Sequence, residues 1–462
     1  MADVWKFVDS PDAGATVRLD INDDSHLNVR HVTWNPPRLR RALSQNLMTD
    51  GGYVGPSSFD MRLLVLDMDI VNTSQNTWAA TWQPLMRELN RETNWLMYKP
   101  DGATNPVFFK TYRSDTASVE DMLSAIAFRQ PVLEILTDPH AYGELTSISV
   151  GAVANTAPSF LVQDFVVKGD VAAPFVMVDA TPSPGTTTAA SYRYNWQLAV
   201  TTRNGADQPV VVQCEALTLG TDMAVSGSVA RQTPTSTNSA VRMTYTPTGA
   251  TAEALRGTYR LYAVATLSST TAGLTMTASA AYGSSSANFS TGASISEAFS
   301  PTGSERHLFD FGTVDFTAAS ALVPTPRVEI SSAMSVSGVG TIRADWDYLI
   351  FVPIDEARLI GQFSSGTGGP SLPSALVFDG IEEHLYGATS ASVFSTAALA
   401  YDGFTDTGGY PVLTPGVDNL FVYFRYSTLT GAPPSSEYVD AASGALTLYY
   451  YPRYTTVRTV ST

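Results

Sequence analysis

The chain has 462 residues, too long for one ordinary domain and of a size for two to four. Hydrophobic residues make up 44%, normal for a globular protein, but only 15% are charged, against about 25% in an average domain. A net charge of −16 excludes a broad nucleic-acid grip, because neutralising phosphates takes clustered Lys and Arg, and Lys occurs only at positions 6, 99, 110 and 168.

Residues 1 to about 75 read as short strands. Val17, Leu19 and Ile21 alternate onto one face. The dense run from Met61 to Val71 suits a strand buried on both faces. Asn72 to Asn76 then offers N-cap residues for a helix. On that helix Trp78, Trp82, Leu85, Met86 and Leu89 form a stripe at the 3.6-residue period, expected to pack on a sheet. Pro84 lies inside the stripe, so the helix either starts near it or kinks there. After a turn at Lys99-Pro-Asp-Gly, strands are expected at Pro106–Tyr112 and from Pro131 to Thr137, around a short helix at Val119 to Phe128.

The texture changes from about 155. Thr181-Pro-Ser-Pro-Gly begins a linker, and Tyr192-Arg-Tyr-Asn-Trp opens a strand-rich region that includes Gly257–Leu267 and Ala344–Pro353. A second linker runs from Phe363 through Gly369 to Pro373. The expected organisation is an α+β domain over 1–180, an all-β sandwich over 186–355 and a C-terminal β segment over 356–462, mainly β overall. The sandwich, bounded by its linkers, is expected to fold by itself.

Little in the chain points to catalysis. His26, His31, His140, His307 and His384 form no zinc spacing, and Glu382-Glu-His384 reads as a polar turn. No nucleophile elbow, Walker loop or dinucleotide fingerprint is present, and no cofactor is expected. Asp67 with Asp69, and Asp345 with Asp347 around Trp346, place carboxylates on one strand face. Such pairs serve glycoside hydrolysis or calcium binding, but strand-end solvation or a salt bridge to arginine is the simpler reading. Cys214, the sole cysteine, excludes an intrachain disulfide and reads as a small buried residue. There is no secretory h-region at Met1–Phe7 and no apolar run of membrane-spanning length, so a soluble chain made in the cytoplasm is expected.

Three groups of residues together resemble a known family. They are the helix-turn-strand run from Trp78 to Tyr112; Thr137-Asp-Pro-His-Ala-Tyr-Gly with the later Lys168-Gly-Asp-Val-Ala-Ala-Pro; and Asp347-Tyr-Leu-Ile-Phe-Val-Pro-Ile-Asp-Glu with the terminal Tyr449-Tyr-Tyr-Pro-Arg-Tyr. The set resembles the distal tail and minor tail proteins of siphophages that infect actinobacteria. The resemblance implies an N-terminal belt domain that closes into a hexameric ring. It also implies a projecting jelly-roll, galectin-like or carbohydrate-module-like sandwich, possibly inserted, with the C-terminal segment completing the belt. The implied function is that of a structural virion protein at the tail tip, made in the host cytoplasm, joining tail tube to tail tip. Implied partners are other copies of the chain, the tail tube protein, the tape measure protein and a baseplate hub or other minor tail proteins.

A carbohydrate-binding adhesion protein and a polysaccharide depolymerase are the competing readings. For binding of host cell-wall glycan, exposed members of Tyr192, Tyr194, Trp196 and Trp346 are the stacking candidates; the alternative is that these alternating aromatics are core. No catalytic or metal-ligating residue is assigned.

Overall fold

A computed structural model of the chain describes residues 3–12, 14–23, 26–45, 52–71, 75–120, 128–152, 159–180, 192–202, 211–234, 237–248, 251–252, 255, 257–270, 274–283, 289–299, 303–316, 327–336, 341–354, 358–365, 375–388, 399–401, 404–429 and 445–455. They form two compact units. Unit one comprises Met1–Thr146, Lys168–Ala173 and Tyr450–Thr462; unit two comprises Ser147–Val167 and Pro174–Tyr449. These units divide the chain differently from the expected boundaries near 180 and 355. The protein is mainly β, and its described residues form antiparallel sheets and the fifteen-residue helix Gln75–Leu89.

Unit one contains strands β1 (Val4–Val8), β2 (Val17–Asp20), β3 (Leu27–Trp34), β4 (Leu39–Gln45), β5 (Gly52–Phe59) and β6 (Arg62–Val71). Helix α1 (Gln75–Leu89) follows, then β7 (Thr93–Lys99), β8 (Val107–Tyr112), β9 (Asp115–Glu120), β10 (Phe128–Thr137) and β11 (Ala141–Tyr142). The main sheet runs in the order β2-β1-β7-β8-β10-β6-β3, while β4 and β5 pair as a separate hairpin. Strand β6 alternates: Arg62, Leu64, Leu66, Met68 and Ile70 are buried, and the residues between them are half-buried. The expectation of burial on both faces is therefore corrected to one core face, as the period of two requires.

The stripe of α1 packs on that sheet. Leu85 and Leu89 are buried, and Trp78, Trp82 and Met86 lie against the same cluster as Leu64, Leu66, Leu96, Phe109 and Leu133. The helix begins well before Pro84, which lies inside it and has no N–H to offer the Ala80 carbonyl. Asn90 ends the helix by donating to the Met86 carbonyl from both its backbone N–H, at 3.0 Å, and its side-chain amide, at 2.8 Å. The proposed N-cap residues Asn72–Ser74 lie outside the described residues.

The short helix expected from Val119 to Phe128 is not found where the chain is described. Val119 belongs to β9 and opposes Pro131, Phe128 opens β10, and 121–127 lie outside the described residues. Pairing along β10 satisfies the backbone of Asp115–Glu120 and outweighs a weak local preference.

Unit two stacks four antiparallel sheets. The first contains Thr146–Ala152, Ala445–Tyr450, Ala173–Asp179, Ala375–Asp379 and His384–Ala388; the second contains Ser159–Val166, Asp418–Leu429, Tyr192–Thr201, Arg358–Ser365 and Thr405–Gly408. The third is centred on Ile342–Pro353 and Thr258–Ser269, and the fourth on Arg327–Val336 and Leu274–Gly283. Phe378 of the first sheet meets Tyr423 of the second at a centroid distance of 6.1 Å. Ala199, Leu420 and Val422 of the second sheet share a core with Tyr262, Val264, Tyr348 and Ile350 of the third. Trp346, Phe351, Ala263 and Phe309 on the opposite face of the third sheet join Met276, Ile330 and Met334 of the fourth.

The third sheet is thus covered on both faces. That explains the run of buried residues from Tyr348 to Pro353, which lacks the alternation of a half-exposed strand. The third and fourth sheets form a sandwich, but not a free-standing one. Thr181–Ala190 lies outside the described residues; of the second linker, Phe363–Ser365 extends a strand and 366–374 lie outside them.

Candidate functional site

Trp196 and Trp346 are both 0% exposed, so neither presents a face to a sugar. Trp346 packs on Phe309 at 5.2 Å and donates its indole N–H to the Gln232 Oε1 at 3.2 Å. Trp196 meets Phe404 edge-on at 5.9 Å. Both lie on strands covered on both faces, and this corrects them as stacking candidates. The side chains of Tyr192 and Tyr194 lie outside those described.

One carboxylate of each pair is tied to a structural partner. Asp345 takes a bidentate contact from Arg231, at 2.8 and 3.2 Å, and lies 3.1 Å from Arg343 Nε. Asp69 accepts from the Gln130 amide at 3.2 Å. Asp379 Oδ1 accepts the backbone N–H groups of Ile381 and Glu382, which organises the turn before His384. Cys214 is wholly buried, and burial, with the charges of Asp347 and Glu215 adding to it, holds its thiol well above the usual range; it is inert. Among the described residues, no group of three His, Cys, Asp or Glu side chains is placed to hold a metal ion.

A polar constellation in unit one joins three distant segments. Tyr142 of β11 opposes Arg453, and Ala141 opposes Tyr454, so Arg453–Tyr454 adds a strand beside β11. The Gly143 N–H donates to the Pro452 carbonyl at 2.8 Å. The third segment, 168–173, closes over this pair: the Asp170 N–H donates to the Arg453 carbonyl at 2.9 Å. Both carboxylate oxygens of Asp170 hold Thr455, one through its N–H at 2.8 Å and one through its hydroxyl at 2.9 Å. From β6, Arg62 donates to the Thr455 carbonyl at 2.7 Å, and the Tyr450 hydroxyl accepts the Lys168 N–H at 3.0 Å.

Below this strap Asp138 accepts two tyrosine hydroxyls, Tyr112 and Tyr142, each at 2.6 Å. Burial, reinforced by the bond to Asp138, pushes the Tyr112 hydroxyl up to about 12, and burial with the Asp138 charge raises Tyr142 further. His140 sits beside them at 8% exposure, its ring edge-on to Phe59 at 5.3 Å. Burial lowers its pKa, and the charges of Arg453 and Arg62 lower it further.

In this arrangement the carboxylates of Asp138 and Asp170 clamp segments together. Sequence reasoning singled out Thr137–Gly143, Lys168–Pro174 and Tyr449–Tyr454 as a resemblance without assigning contacts among them. Nothing in the spacing showed that Asp170 grips Thr455 or that Asp138 gathers two tyrosines.

No protein-family model matches the chain, and no curated protein matches it. Among solved structures it is similar to the SPP1 Dit (gp 19.1) protein, a paradigm of the hub adsorption apparatus in Gram-positive infecting phages. Identity there is 9%, covering 98% of this chain and 99% of that one, with a TM-score of 0.37. A chain of the phage p2 baseplate in its activated conformation with Sr is 9% identical over 76% of this chain and 98% of that one, with a TM-score of 0.22. A chain of the infectious bursal disease virus VP2 subviral particle is 10% identical over 68% of this chain and 80% of that one, with a TM-score of 0.19.

Proposed function

We propose that the chain is a structural subunit at the distal end of a siphophage tail, closing with other copies into a hexameric ring that joins tail tube to tail tip. The observation that carries this reading is the convergence in unit one. Trp78–Tyr112, Thr137–Gly143, Lys168–Ala173 and Tyr450–Tyr454, which carry most of the resemblance to distal tail proteins, fold into one compact body although up to about 370 residues separate them, while its Asp347–Ile354 part lies in unit two. A closed ring is held by one interface repeated around an axis, which suits a chain stabilised by cores rather than disulfides. Tail tube protein, tape measure protein and a baseplate hub are the partners of that reading.

Burial of Trp196 and Trp346 weighs against the glycan-adhesion alternative, and the engagement of Asp69 and Asp345 weighs against a depolymerase. The test is the mass of the purified chain by light scattering, with negative-stain imaging. A ring of about six times the 49.4 kDa chain mass supports the proposal. A monomer at all concentrations, together with absence of the chain from purified virions, sinks it.

A further inference from the structure

We propose that His140 is an acid-sensitive latch on the C-terminal strap, and that its protonation releases residues 450–455 from the sheet of unit one. The proposal is independent of the tail-protein reading. It rests on how His140 is enclosed and on what its neighbours are already doing.

His140 lies between Asp138, which holds Tyr112 and Tyr142, and Ala141, which pairs with Tyr454 of the strap. Four charged groups act on it electrostatically: Arg62 from β6, Arg453 from the strap, Asp170 from the 168–173 segment and Asp138 from its own loop. Phe59 of β5 covers its ring. The imidazole is more than nine-tenths buried, and its Nδ1 has no hydrogen-bond partner within the protein. A neutral ring tolerates that position. A charged ring there carries a buried N–H without an acceptor, beside two guanidinium groups.

The two carboxylates that act on His140, Asp138 and Asp170, are both committed. Asp138 holds Tyr112 and Tyr142, and Asp170 holds Thr455 through both oxygens. The strap hangs on the second of these, on the Arg62 contact with the Thr455 carbonyl and on Arg453 stacked over Tyr142 at 5.7 Å. A third positive charge repels Arg62 and Arg453 and draws Asp170 away from Thr455. All three effects loosen the same six residues.

The sign follows from linkage. An opened strap lets His140 titrate near its ordinary value of 6.5, whereas the closed strap depresses it. The closed form is therefore fully favoured above about pH 6.5 and loses ground as the pH falls below it.

The experiment is hydrogen exchange by mass spectrometry on the full chain between about pH 7.5 and about pH 5, corrected for intrinsic exchange rates. Peptides covering 445–455 should lose protection several-fold on acidification, while peptides covering β6 and β10 keep theirs. His140→Gln should abolish that pH dependence. Direct NMR titration of the His140 ring in the unmodified protein guards against a variant that fails to fold. A titration midpoint at or above the ordinary histidine value overturns the proposal. So does a wild-type strap with the same protection at both ends of the pH range, or a His140→Gln chain that still opens in acid.

Discussion

Arg425 and Asp179 form an ion pair wholly sealed from solvent, with Nη1 2.9 Å from Oδ2 and neither side chain exposed. The Tyr423 hydroxyl donates to the same carboxylate oxygen at 2.6 Å. The three residues bind the second sheet of unit two to the first, where a single uncompensated charge would be costly. Asp179→Asn should therefore destabilise unit two by about 3–5 kcal/mol, because it strands the guanidinium in an apolar layer. Replacing Asp179 and Arg425 together with apolar residues should recover much of the loss. Denaturant melts of the two variants measure this. A neutral single variant would mean the pair is hydrated in solution.

Trp5 lies in the core of unit one at 1% exposure, against Tyr98 at 4.3 Å and Trp34 at 5.6 Å. Trp5→Ala should cost about 3–5 kcal/mol, since the lost ring leaves a cavity among other rings that fill it poorly. Trp82→Ala should cost less, because Trp82 is only half-buried and stacks on Trp78 at the helix edge. The ranking is checked by paired thermal or denaturant melts; equal losses would place the two tryptophans in equivalent environments.

Stability should fall at high pH as buried tyrosines are forced to ionise. Burial, aided by the bond to Asp3, holds the Tyr98 hydroxyl at about 12; burial with the bond to Asp138 does the same for Tyr112, and burial alone for Tyr245. Unfolded tyrosines ionise near 10, so the native state keeps protons that the unfolded state loses. The contribution is complete below about pH 10 and is lost as the pH rises toward 12. Denaturation midpoints at pH 9 and pH 11, with the tyrosinate absorbance followed in parallel, test this. Tyrosinate appearing in the folded protein with the midpoint of free tyrosine would contradict it.

Excising 203–356 should not leave a well-behaved remainder. Ala199, Leu420 and Val422 are buried against the third sheet, and its removal would bare them on one face. The shortened chain should self-associate in size-exclusion chromatography, and polar replacements at Leu420 and Val422 should reduce that. A monodisperse shortened chain with an unchanged melting temperature would show that the second sheet needs no cover.

Local patterns carried much of the fold. The 3.6-residue spacing of Trp78, Trp82, Leu85, Met86 and Leu89 specified a helix with one apolar face whatever it packed against, and the alternation of Val17, Leu19 and Ile21 specified a strand in the same way. The absence of a second cysteine settled that no disulfide staples the chain. Those features depend on neighbours a few residues apart. What only the tertiary structure decided concerns residues hundreds of positions apart. In sequence Trp346 and Trp196 are open to either reading, stacking surface or core, because nothing in their own strands reveals the layers that cover both faces. The aspartates at 138, 170 and 179 look alike as letters. One gathers two tyrosines, one grips Thr455, and one neutralises Arg425, because antiparallel pairing brings strands from opposite ends of the chain side by side. The identity of a side chain limits which bonds it can form; its partners come from the register of strands that the local sequence does not encode.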